Sequence, residues 1–320
     1  MIHPEALVRD LPLPGSLERT YIAVGHTWDG PVRLPLIRIR GVQEGPRVVI
    51  AAAQHGDEGY AVLGVQALAQ TIDPSSLRGE VWLLPCLNPH GYFAGKRNSP
   101  LDQQDMNRVH PGHSEGTITQ QIAHVLHQYV LPGSDLLLDL HGGSPEVGDI
   151  AFGRWSDAPG KPSLHDLAYR LPLRFLLAPG TRDIAGMWST TTPALGVPQM
   201  AIEAGSAYQH AQENAQEWTS LVQVALRYLQ MVPGEPPPAR PTPLMRTVSH
   251  PARHGGVFAS TVRLGQDVEA GALLGEVRSL NGEVLQTLIC PVNGLVAVMR
   301  SGVRVHPGES LVTVATPVED

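Results

Sequence analysis

The segment PGEPPPARPTP, Pro233 to Pro243, carries six prolines, so neither a helix nor a central strand can run through it. Such a stretch favours an extended spacer, and it predicts two units, residues 1–232 and 244–320, joined by a linker at 233–243. The first unit is long enough to bury a sizeable core. Within it, short apolar runs alternate with helix-like segments, the pattern of a sheet covered by helices. Arg47 to Ala53, Val81 to Cys86, Leu136 to Leu140 and Gln199 to Ile202 read as strands. Glu58 to Ile72, Ile118 to Leu131 and Gln212 to Val232 read as helices, and Thr20 to Arg40 as a hairpin ahead of the main sheet. The expected fold class is α/β, a sheet flanked by helices, with a small C-terminal all-β domain.

That C-terminal unit contains an internal repeat. Val268-x-x-Gly271-x-x-Leu274 recurs as Val305-x-x-Gly308-x-x-Leu311, preceded by Gly256-Val257 and Gly294-Leu295 respectively. Two similar hairpin units predict a quasi-symmetric β-sandwich or barrel. The pattern resembles biotinyl and lipoyl carrier domains, which hold their cofactor on a lysine. The lysines of this chain are Lys96 and Lys161, both in the first unit. Covalent carriage is therefore excluded by chemistry, and the module is expected to act as a lid, packing or assembly element.

Charge and cysteine usage narrow the function classes. Thirty acidic residues against 23 basic ones give a net charge of −7, whereas nucleic-acid binding needs a basic footprint. Cys86 and Cys290 are the two cysteines, and no CxxC occurs, so neither a disulfide framework nor a thiolate zinc site fits. No apolar run reaches the ~18 residues of a membrane span. The first residues, with Pro4, Glu5, Arg9 and Asp10, lack the apolar segment of a signal peptide. The expectation is a reducing, cytoplasmic setting.

Four of the expected strands end in chemically capable residues. His55 lies just beyond RVVIAAA, Asn88 beyond the strand ending at Cys86, His141 directly after LLLDL and Glu203 directly after QMAI. Ligands of open α/β sheets bind at the carboxyl ends of strands, so these positions predict one shared site. His55 and Glu58 have the i, i+3 spacing that can close on a metal. His210/Glu213 and His306/Glu309 share that spacing but lie at a helix start and in a repeat turn, where they read as solvated polar residues. Two His and one Glu make the three protein ligands of a catalytic zinc, with a position left for water. Asp139, two residues before His141, points to the same side of its strand and can hold that imidazole by its second nitrogen. The competing reading makes His55 and His141 hydrogen-bonded interior residues.

HGDE at 55–58, AGKR at 94–97, DMNR at 105–108, DLH at 139–141 and IEAG at 202–205 together resemble the succinylglutamate desuccinylase/aspartoacylase family, whose fold is similar to that of zinc carboxypeptidases. The resemblance covers roughly residues 45 to 230, in the order of all five blocks. It implies a mixed sheet flanked by helices and one zinc ion per subunit on His55, Glu58 and His141. It further implies that Arg97 steadies the oxyanion, that Asn107 and Arg108 grip a substrate carboxylate, and that Glu203 is the general base. Asp57 stands where the better-known members usually have Asn, and the stretch from Arg97 to Asn107 is longer than theirs. Their substrate is therefore not carried over. The SPLDQQDMNRVHPG segment and the β module are more similar to the ectoine-degradation deacetylase branch.

The chemistry supports these roles independently. Zinc lowers the pKa of water to about 7, yet a base must still move the proton to the leaving nitrogen, which one glutamate can do. Arginine's planar fork suits a carboxylate or an oxyanion. A serine hydrolase is a poorer fit: Gly112-His113-Ser114-Glu115-Gly116 matches G-x-S-x-G, but Asn107 to Pro111 before it is not a strand. The expected function is a zinc-dependent deacylase acting on a small N-acylated amino acid or related carboxylate-bearing amide, with oligomerisation open. The alternatives are a zinc carboxypeptidase acting on short peptides and a non-catalytic carboxylate-binding protein.

Overall fold

The computed structural model describes residues 1–28, 30–181 and 184–318. The alternating stretch near the start forms the antiparallel hairpin β1 (Ser16–Thr27) and β2 (Gly30–Arg40). There follow β3 (Gln43–Ala52), α1 (Tyr60–Thr71), β4 (Arg78–Leu84), α2 (Pro89–Ala94), α3 (Ile118–Val125) and β5 (Leu136–His141). Next come β6 (Val147–Asp149), β7 (Phe152–Ser156), α4 (His165–Arg170), β8 (Phe175–Leu177), α5 (Trp188–Thr191), β9 (Gln199–Glu203) and α6 (Ala211–Tyr228). The C-terminal part holds β10 (Leu244–Pro251), β11 (Gly256–Ser260), β12 (Asp267–Val268), β13 (Leu273–Arg278) and β14 (Val284–Ile289). It ends with β15 (Gly294–Arg300), β16 (Arg304–Val305) and β17 (Ser310–Pro317).

Strands β4, β3, β5 and β9 pair in parallel at the heart of a mixed sheet. Successive side chains of a strand point to opposite faces, and both faces here are covered. Val48, Ile50 and Ala52 pack with Val65 and Leu68 of α1 and with Trp218 and Leu221 of α6. Val49 and Ala51 face the other way, against Ile122 and Val125 of α3. All six residues of β5 are consequently buried. Truncating Leu138, at its centre, to Ala would cost about 2–5 kcal/mol.

Three departures from the sequence reading affect the site. The helix expected from Glu58 starts at Tyr60, because the Glu58 N–H turns back onto the His55 carbonyl at 3.2 Å and holds Glu58 in the turn. The helix expected through Leu131 leaves α geometry after Val125 in one π-helical turn over Leu126–Val130. Strands β6, β7 and β8 were not anticipated; at three to five residues they are too short to show a period.

The proline-rich residues 233–243 contain neither helix nor strand and lie along the first unit. Arg240 N–H donates to Tyr169 O, and Pro237 O accepts from Arg170. They deliver β10 to the open edge of β8, where it pairs in parallel, and the sheet continues through β17, β15 and β12. The stacked rings of Phe152 and Phe175, 4.7 Å apart, pack with Leu295, Ala297 and Ala315 across this junction. A separate antiparallel sheet, β14-β13-β11-β16, closes a sandwich over a core that includes Phe258, Leu274, Val277, Val296 and Val312. The sequence repeat is real in three dimensions. Gly271 and Gly308 both turn at φ +89°, a region open to glycine, between a buried Val and a buried Leu.

Candidate active site

The turn after β3 and the ends of β5 and β9 converge on one cavity of about 340 Å³. His55 Nδ1 lies 2.6 Å from Glu58 Oε1, and His141 Nδ1 lies 3.0 Å from Glu58 Oε2. One donor atom from each of the three side chains falls within 4.8 Å of the others, and all three residues are buried. The backbone aids the arrangement. After β5 the chain turns through Gly142 at φ +93°, which aims its N–H at Glu58 Oε2, 3.1 Å away.

A carboxylate stands behind each imidazole. Asp139 Oδ2 is 3.0 Å from His141 Nε2, as the sequence predicts, and Asp105 Oδ1 is 3.2 Å from His55 Nε2. Both rings thus present Nδ1 to Glu58. Burial alone would push the imidazole pKa values down, but Asp139 and Glu58 hold His141 well above its ordinary value. Glu58 and the hydrogen bond that His55 donates to Asp105 raise His55 in the same way. Burial likewise works to raise the Glu58 carboxyl, and the two imidazoles outweigh it and hold it well below the usual range. The surroundings therefore favour positive charge at this point, and a His-Glu-His donor set of nitrogen and oxygen suits a divalent transition metal.

Arg97 reaches the same cluster, with Nη1 3.3 Å from Glu58 Oε1 and Nη2 3.1 Å from Asp105 Oδ2. Asp105 is thereby shared between His55 and Arg97, and it also accepts from the Asn107 N–H at 2.9 Å. Asn107 is buried beside the cavity, with its Oδ1 accepting from the Trp188 N–H at 3.2 Å. Arg108 is exposed at the cavity, with Nη1 donating to the Asn107 carbonyl at 2.6 Å. Glu203 lines the cavity at the end of β9. Asn88, the remaining strand-end residue, caps α2 by accepting from Gly91 N–H and also donates to Arg97 O. It holds the Arg97 loop in place without lining the cavity.

The other residues singled out lie elsewhere. Glu213 and Glu309 each accept from the backbone N–H of the His three residues earlier, local caps of a helix and a turn. Ser114 is exposed in a turn ahead of Thr117, which caps α3. Sequence reasoning missed Asp105, although it stands in the DMNR block, and Arg154 on β7, whose short strand carried no signal. It also missed the roof: Ser249, Val298, Ser310 and Thr313 of the C-terminal strands line the cavity. The loop after His141 is clasped to that roof by Glu146, which pairs with Arg300 at 2.7 Å and Arg304 at 3.0 Å.

Fold and site together define an α/β enzyme whose chemistry is gathered at strand ends around a candidate metal centre. The catalytic-domain model of succinylglutamate desuccinylase/aspartoacylase matches residues 44–229, and the chain belongs to that family. N-alpha-acetyl-L-2,4-diaminobutyric acid deacetylase of Halomonas elongata is 25% identical over 305 residues, covering 91% of this chain and 87% of that protein. The product-bound ectoine utilization protein EutE (DoeB) of Ruegeria pomeroyi has a similar structure, with TM-score 0.82 at 22% identity over 94% of this chain and 95% of that one. A succinylglutamate desuccinylase/aspartoacylase of Rhodobacter sphaeroides gives TM-score 0.79 at 21% identity, over 94% and 96% of the two chains.

Proposed function

We propose that the protein is a zinc-dependent amidohydrolase that removes the acyl group from a small N-acylated amino acid or a related carboxylate-bearing amide. The observation that carries this reading is the convergence of His55, Glu58 and His141 with Glu203, Arg97 and Arg108 on one cavity. His55, Glu58 and His141 would hold the zinc ion, with Asp139 and Asp105 fixing the two imidazoles. Zinc bound there supplies the Lewis acidity that polarises an acyl carbonyl and lowers the pKa of water to about 7. Glu203 takes the proton from the attacking water and returns it to the leaving nitrogen, so that the amine departs neutral. Arg97, already aimed at Glu58, steadies the negative charge that grows on the carbonyl oxygen. Arg108, exposed at the cavity and able to form a two-pronged contact, holds the substrate carboxylate, and Asn107 fixes the loop that carries it.

Ser249, Val298, Ser310 and Thr313 of β10, β15 and β17 bound the cavity on one side, which supports a small amide over a peptide as the substrate. The N-acetylated diamino acid named for the Halomonas relative is a first candidate substrate. A reducing, cytoplasmic setting fits Cys86 and Cys290, both buried and unpaired. Among the described residues, no helix is long and apolar enough to cross a membrane. The test is a screen of N-acetyl, N-succinyl and N-formyl amino acids beside short peptides, reading the released primary amine, with elemental analysis of the same preparation. Turnover of peptides alone would make the protein a carboxypeptidase. Absence of both turnover and stoichiometric divalent metal would leave a carboxylate-binding protein.

A further inference from the structure

Behind His141 a chain of buried polar side chains runs away from the cavity. The Asp139 carboxylate lies 3.0 Å from His141 Nε2, and it accepts from Gln54 Nε2 and from Gln199 Nε2, each at 2.8 Å. Gln54 Oε1 in turn lies 3.0 Å from His110 Nε2. The His110 ring is held between Trp188 and His127, with ring centroids at 4.9 and 5.1 Å. Gln54, His110, Asp139, His141 and Gln199 are each no more than 4% exposed, so water cannot stand in for any of these bonds.

The direction of each bond follows from its neighbours. A carboxylate only accepts, so Gln54 presents its NH₂ to Asp139 and its carbonyl to His110. A carbonyl also only accepts, so His110 must carry its proton on Nε2. Burial, with the His127 ring beside it, holds the His110 pKa well below its ordinary value and the ring stays neutral. Its proton-free Nδ1 accordingly has no hydrogen-bond partner. The polarity thus runs from His110 through Gln54 to Asp139, which can accept from His141 Nε2 and leave His141 Nδ1 facing Glu58. His55 is backed differently, by an Asp105 carboxylate that is 18% exposed and shared with Arg97.

We infer that Gln54 and His110 are positioning residues, which lock Asp139 and with it the tautomer and orientation of His141, whose Nε2 the Gln54 amide nitrogen also approaches at 3.4 Å. This inference rests on the reading of His141 as a zinc ligand. Outer groups that orient a ligand imidazole contribute to metal affinity through the ligand's fixed geometry, although they never touch the ion.

The experiment compares wild type with Gln54→Leu, His110→Phe and His110→Gln, the last of which places an amide N–H near the position of Nε2. Zinc affinity is read by competition with a chromophoric chelator, and the histidine tautomers by ¹⁵N NMR of the metal-free protein. Gln54→Leu and His110→Phe are expected to weaken zinc binding about 10–100-fold, with His110→Gln staying within about threefold of wild type. In wild type the His110 ring should report its proton on Nε2. Unchanged zinc affinity in Gln54→Leu, or a proton on Nδ1 of His110, overturns the inference. A merely structural role would lower the melting temperature without rescue of zinc affinity by His110→Gln, and that too would overturn it. Should His110→Phe not fold, Gln54→Leu and the wild-type tautomer decide the matter. Failure of wild type to bind zinc is a distinct outcome, one that removes the metal reading itself and this inference with it.

Discussion

His141 and Glu203 are register partners at the carboxyl ends of the adjacent parallel strands β5 and β9. Partners across neighbouring strands share a face of the sheet, and strands lie about 4.8 Å apart, so a candidate ligand and a candidate base open onto one cavity. Glu203→Gln keeps the side chain's shape but cannot accept a proton near neutral pH. The expected outcome is a kcat lower by about 10²–10⁴-fold, with bound zinc and melting temperature close to wild type. A kcat within a few-fold of wild type, measured with metal content on the same preparation, would make Glu203 a structural residue.

His55→Ala and His141→Ala should each lose bound metal and activity together. His306→Ala should lose neither, because its hydrogen bonds to Glu309 run through its backbone N–H and carbonyl, in an exposed turn. Full metal occupancy in His141→Ala, by elemental analysis, would remove it from the ligand set.

Arg108 and Asn107 should separate in kinetics and stability. Arg108 is exposed at the cavity, and losing a charged hydrogen bond to a substrate carboxylate costs about 1.5–3 kcal/mol. Arg108→Ala is therefore expected to raise KM on the order of 10–100-fold with little change in melting temperature. Asn107→Ala removes the acceptor of the Trp188 N–H and should also lower the melting temperature. Equal KM effects with no stability difference would contradict this division.

The roof makes a prediction about substrate size. Ser310 Oγ lies 2.7 Å from Ser249 Oγ and 3.3 Å from Thr313 Oγ1 on the cavity wall. Ser310→Leu places a larger apolar group there and should lower kcat/KM for the preferred substrate roughly tenfold, about 1.4 kcal/mol, while zinc affinity is unchanged. No change across a series of amine halves of increasing size would show that the roof does not touch substrate.

Acid should destabilise the fold through His127. Burial holds this ring down to about 4 from an ordinary 6.5, with Nε2 near Thr191 Oγ1 at 3.0 Å. Between those values the unfolded chain takes up a proton that the folded chain refuses. Stability is full above pH 6.5 and falls as the pH drops toward 4, by roughly 3–3.5 kcal/mol at most from this group. Melting temperatures at pH 7 and pH 5 should differ, and His127→Gln, which keeps a polar group near Thr191, should shrink the difference. An unchanged pH slope in that variant would exclude His127 as the cause; buried His110 is shifted in the same direction.

What the sequence determines by itself is local. The apolar runs of β3, β5 and β9 and the residues at their carboxyl ends are legible because strand period and strand end are properties of a few consecutive residues. Asp139 was legible for the same reason, lying two residues from His141 on one strand. The proline run marked where regular structure stops, but nothing in it says that β10 continues the sheet of β8 instead of hanging free. That was decided by an open strand edge and by the apolar surface around Phe152 and Phe175, each assembled from distant segments. Likewise Gln54 meets Asp139 across 85 positions, His55 meets Asp105 across 50, and Ser310 reaches the cavity from the far end of the chain. Such hydrogen bonds leave no period or spacing in the sequence, because their geometry exists only after the parallel strands and the C-terminal sandwich have packed.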